Sequence, residues 1–121
     1  MLNRFSHVMM YVYDLDRAVK WYTEILGFRI QFVAPKHYAS LFHERMKCRL
    51  DLHPTSAGNP NVGHGPIAYF STDDIDRDVA ELRGKGVTVE DPRTEGSSPR
   101  FCGFKDSEGN WLGIEDDTVT R

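Results

Sequence analysis

Apolar positions along this chain fall into two copies of one pattern, a short extended run followed by a helical stripe. Residues 5–13 contain no Gly or Pro and are rich in Val, Tyr and Met, which predicts a strand. Alternation puts Val8, Met10 and Val12 on one face and His7, Met9 and Tyr11 on the other. The first set is more aliphatic and is assigned to the core. Asp14 or Asp16 then caps a helix, because a short carboxylate accepts hydrogen bonds from its orphan N–H groups. Ala18, Val19, Tyr22, Ile25 and Leu26 form its apolar stripe, and Gly27 stops it. Strands follow at 28–33, 38–43 and 48–53, the last two as a hairpin around 44–47.

The second copy keeps the order. A strand at 67–71 precedes a helix at 75–83, with Ile75, Val79 and Leu82 at helical spacing and Gly84 and Gly86 as stops. A strand at 87–90, a loop at 91–99 and a hairpin of 100–105 with 111–115 complete it. The hairpin turns on Asp106-Ser107-Glu108-Gly109-Asn110, whose Gly and Asn suit left-handed positions. Asp14-Leu15-Asp16-Arg17 aligns with Asp74-Ile75-Asp76-Arg77 at an offset of 60 positions. The fold class is α+β: one domain over residues 1–121 made of two βαβββ modules, about 4–54 and 66–117, with a linker at about 55–65. That linker is rich in Pro, Gly, Ser and Asn and is a candidate mobile loop. One helix cannot cover both faces of a four-stranded sheet. The bare face must therefore curl around a ligand, a partner chain or the other module's sheet.

Composition narrows the function classes. The 121 residues are 40% hydrophobic and 27% charged, an ordinary globular balance. A net charge of −3 argues against a nucleic-acid surface, which needs an excess of Lys and Arg on one face. No apolar run reaches the roughly 20 residues of a membrane span, and residues 1–6 lack the apolar stretch of a secretion signal. The expectation is a cytoplasmic protein whose Cys48 and Cys102 are free thiols.

Several residues could carry chemistry. His7 is a metal or ligand contact, or a hydrogen-bonded strand histidine. Asp51, between Leu50 and Leu52 and facing away from them, is a ligand or the partner of Arg49, Arg100 or Lys105. Met9, Tyr11, Tyr69, Phe101 and Trp111 could line an aromatic pocket for a planar or cationic ligand. Arg100 has a fork suited to a carboxylate or phosphate, with a surface salt bridge as the plainer role. No arrangement predicts a nucleophilic cysteine, and catalytic residues are not identified.

These pieces resemble the vicinal oxygen chelate superfamily of glyoxalases, bleomycin resistance proteins and extradiol dioxygenases. The matching residues are His7 seven positions before Asp14-Leu15, the run from Ala18 to Tyr22 ending in Leu26-Gly27-Phe28, and Asp106-Ser107-Glu108-Gly109-Asn110 before the last strand. The resemblance implies paired βαβββ modules forming a curved, cup-like mixed sheet. It also implies a homodimer, and a divalent metal (Zn, Ni, Fe or Mn) held by four strands. Carried over, the ligands fall on His7, on Asp51, on Pro66 or Ile67, and on Gly113, so two of four positions are filled. Gly113 removes a ligand and a base together. His53, His64 and Glu115, each two residues from a family position, could form a shifted metal site.

Two functions follow as expectations. The first is a protein that binds a small molecule in the cup through His7, Met9, Tyr11, Asp51, Tyr69, Arg100 and Trp111. The second is a metal-dependent lyase, isomerase or dioxygenase using His7, Asp51 and the shifted ligands.

Overall fold

Asp14 and Asp74 open equivalent helices. Each carboxylate accepts from the backbone N–H three residues on, Arg17 and Arg77, at 3.0 Å. The computed structural model describes residues 1–117, and contacts divide the chain into two units, Met1–Val62 and Gly63–Arg121.

In the first unit the order is β1 (Val8–Val12), α1 (Leu15–Glu24), β2 (Arg29–Ala34), β3 (Tyr38–His43) and β4 (Cys48–Pro54). The sheet runs β1-β4-β3-β2, with β1 parallel to β4 and the other pairs antiparallel. Leu15, Ala18 and Tyr22 of α1 are buried, as are Val12, Ala39, Leu41, Leu50 and Leu52 of the sheet face with the matching parity. Tyr22 is fully buried, and its hydroxyl reaches the Met10 sulfur at 3.5 Å. Gly27, at φ 78°, turns the chain so that the Phe28 N–H donates to the Tyr22 carbonyl at 3.1 Å. The first strand begins at Val8 rather than residue 5, so His7 stands just ahead of the ladder.

In the second unit the order is β5 (Ala68–Thr72), α2 (Ile75–Gly84), β6 (Phe101–Lys105) and β7 (Trp111–Asp116), with the sheet order β5-β7-β6. Ile75, Val79 and Leu82 of α2 are buried, as are Cys102, Phe104, Leu112 and Ile114 of the sheet. The expected strand at 87–90 is not a regular strand. The segment makes two isolated bridges to β6, Val89 with Phe104 and Arg93 with Phe101, and its register slips by one residue between them. Pro92 lies within the slip and offers no N–H. The Glu90 carboxylate, rather than a backbone carbonyl, accepts from the Gly103 N–H at 2.8 Å. The turn before β7 is closed from inside by Asp106, which accepts from the N–H groups of Glu108 (2.8 Å) and Asn110 (2.9 Å).

Candidate functional site

Each unit has one sheet face under its helix and one face without. The helix-free face of the first sheet holds a polar cluster built by strand register. The 44–47 turn pairs His43 with Cys48, which sets Ser40 opposite Asp51 and Phe42 opposite Arg49. Asp51 is fully buried. Its two oxygens accept from Arg49 Nε at 2.9 Å and Nη2 at 2.7 Å, and the Tyr38 hydroxyl donates to Oδ2. His7 Nε2 stands 3.5 Å from the same Oδ2, while His7 Nδ1 bonds the Ser6 hydroxyl at 2.8 Å. Burial pushes the Asp51 carboxyl upward. Hydrogen bonds from Arg49, Tyr38 and Ser40 outweigh it and hold the group below the usual aspartate range. Burial and the bond to Asp51 push the Tyr38 phenol up to about 12. Rings surround this cluster. Phe32 stacks on Tyr38 at 6.1 Å, Tyr11 and Tyr38 meet His53 edge-on at 5.7 and 6.0 Å, and the Arg49 guanidinium lies 5.9 Å from the Phe32 centroid.

The helix-free face of the second sheet is aromatic over a glycine floor. Register sets Tyr69 beside Gly113 and Gly113 beside Gly103. The Tyr69 ring lies over Gly113 so closely that a Cβ there would fall 2.3 Å from Cε2. A Cβ on Gly103 would meet Glu90 Oε1 at 2.9 Å and the Trp111 ring at 3.0 Å. Two glycines therefore let two large rings lie close to the backbone. Lys105 Nζ sits 5.0 Å from the Trp111 ring, and Arg93 sits 4.7 Å from Phe101.

The expected site residues are distributed between these faces. His7, Tyr11 and Asp51 join the polar cluster, with half-exposed Met9 opposite Asp51 on the neighbouring strand. Tyr69 and Trp111 form the aromatic floor. Arg100 is held in a two-bond salt bridge by Asp76 of α2, both bonds 2.9 Å, the surface pairing that was its plainer role. Of the three partners open to Asp51, Arg49 takes it. Cys48 and Cys102 are free, and burial raises both thiols away from the nucleophilic range.

Among the described residues no three His, Cys, Asp or Glu side chains form a group that could hold an ion. His53 directs Nδ1 to the Pro54 carbonyl at 2.8 Å, His64 is exposed ahead of β5, and Glu115 pairs across the sheet with Ser71 and Phe101. Both Asp51 oxygens already face cationic or phenolic donors, and a metal ion there would sit against a guanidinium. The residues present do not fit the four-ligand ion.

Arg49, Tyr38 and Phe32 were not among the expected site residues. The 38–43/48–53 hairpin carried the signal: a four-residue turn at 44–47 already places Ser40 opposite Asp51 and Phe42 opposite Arg49.

Two mixed sheets with one helix each, and helix-free faces furnished with rings and fixed charges, define the class as a small α+β protein. The family model described as the glyoxalase/bleomycin resistance protein/dioxygenase superfamily matches residues 4–114, and the chain belongs to that superfamily. A lactoylglutathione lyase of Arabidopsis thaliana is 30% identical over 88% of this chain, which spans only 42% of the lyase's length. The antibiotic-binding protein TnmS3 of Streptomyces sp. CB03234 superimposes with a TM-score of 0.72 at 27% identity, over 95% of this chain and 98% of its own. A fosfomycin resistance protein of Listeria monocytogenes, complexed with Mn(II), shares the fold at 12% identity and a TM-score of 0.73, over 95% and 90%.

Proposed function

We propose that this protein binds a small organic molecule on a helix-free sheet face and holds it without the superfamily's metal chemistry. The observation that carries this is the Tyr69 ring lying over Gly113, where a superfamily ligand would project. Asp51 supports it, being engaged by Arg49 and Tyr38. Similarity to an antibiotic-binding protein over nearly both full lengths points the same way. Rings beside fixed charges suit a ligand that is flat and bears polar groups at its edge. In the test, untagged protein is treated with a chelator and then screened by thermal shift against a broad panel of small molecules. The expected result is a melting temperature unchanged by chelation to within about 1 °C and at least one stabilising molecule. A protein stabilised by no molecule, or one that loses stability on chelation, would refute the proposal.

The 30% identity to a lyase supports a second reading, a metal-dependent enzyme centred on His7 and Asp51. Lyase activity abolished by a chelator and by His7→Ala would establish it instead. Under either reading we infer a homodimer in a reducing, cytoplasmic setting. The edge strand β2 leaves Ile30 and Val33 exposed on the side that packs under α1, and both cysteines are unpaired.

A further inference from the structure

The edge of Arg49 that Asp51 leaves open identifies a ligand class. A guanidinium carries five N–H donors in a rigid plane. Asp51 takes one from Nε and one from Nη2, which are the two donors of one edge. Planarity then fixes a second parallel pair, one N–H each from Nη1 and Nη2, on the edge facing away from the buried carboxylate. About a third of this side chain (31%) is open to solvent. A fully buried acid holding a partly exposed Arg presets the fork, so little side-chain entropy is lost when a second acid docks. Apolar surface adjoins it: Phe32 lies 5.9 Å from the guanidinium, stacked on Tyr38 and half exposed. Arg49, Asp51 and protonated Tyr38 sum to no formal charge. His7, just ahead of β1, stands 3.5 Å from Asp51.

We propose that the helix-free face of the first unit binds an aromatic carboxylate, its two oxygens on the Nη1–Nη2 edge of Arg49 and its ring against Phe32 and Tyr38. This rests on the small-molecule reading above and gives that reading a substrate class. A cationic arene is disfavoured, because Arg49 already supplies the positive charge beside Phe32.

The test is calorimetric titration of the full chain at neutral pH with 2-naphthoate and with 2-naphthamide, which share a ring and differ in charge. Wild type should bind the acid at least about tenfold more tightly. Arg49→Lys keeps the charge and loses the fork, and should cut that preference to about threefold or less. Phe32→Ala should weaken both probes alike. The wild-type comparison decides even where a variant fails to fold. Equal binding of acid and amide overturns the proposal. So does binding of neither probe by a chain that other panel molecules stabilise, and the small-molecule reading then survives. A chain stabilised by nothing overturns both.

Discussion

Asp51 and Tyr38 set opposite ends of the pH range. Asp51 has a folded value below its ordinary one, so its stabilisation is complete above about pH 3.9 and is lost as pH falls through the lower folded value. Tyr38 is raised, so its contribution is complete below about pH 10 and drains away as pH climbs toward about 12. Urea midpoints measured across pH should therefore fall at both extremes. Asp51→Asn should flatten the acid limb and Tyr38→Phe the alkaline one. Unchanged limbs would mean that Tyr38 and Asp51 are not coupled by their hydrogen bond. Gly113 offers a second residue-level check. Gly113→Ala drives a methyl into the Tyr69 ring, and overpacking of this kind costs about 1–3 kcal/mol. The low end is expected, since Tyr69 is half exposed and can swing aside. Tyr69→Ala in the same chain should restore most of the loss in a denaturant titration.

Among the elements, the two helices test the duplication. Asp14 and Asp74 make the same capping bond at 3.0 Å, and each →Ala change should cost about 1 kcal/mol. The Asp74 N–H also bonds the Thr72 hydroxyl at 3.1 Å. The costs should add in the double variant, since each cap bonds an N–H of its own helix. The modules part company at 87–93, where Pro92 and the Glu90 carboxylate break what is a full strand, β2, in the first unit. Strand propensity in Val87, Thr88 and Val89 predicts an element. The slip depends on which Glu90 atom meets Gly103, and no local pattern carries that information.

For the molecule as a whole, two properties remain to be measured. A ligand present at 100 times its dissociation constant should add about 2.7 kcal/mol of stability. Light scattering should give twice the mass of one 13.9 kDa chain, and Ile30→Lys with Val33→Lys on β2 should return it to the monomer. A monomeric wild type would remove the dimer from the picture. No described helix is long and apolar enough to cross a membrane.

Spacing along the chain determined the parts of this protein. Caps, helical stripes, hairpins and the 60-position repeat are local patterns, readable because neighbours in sequence enforce them. His7 and Asp51 were marked by strand parity and by the family resemblance, and Tyr69 and Trp111 as rings that could line a pocket. Tertiary structure decided what those residues do. Arg49 rather than Arg100 or Lys105 claims Asp51, Asp76 claims Arg100, and the Tyr69 ring covers Gly113. Arg49 and Asp51 sit two residues apart on one strand, but Asp76 and Arg100, and Tyr69 and Gly113, are distant in sequence and meet only after folding, where a shift of an ångström exchanges one partner for another.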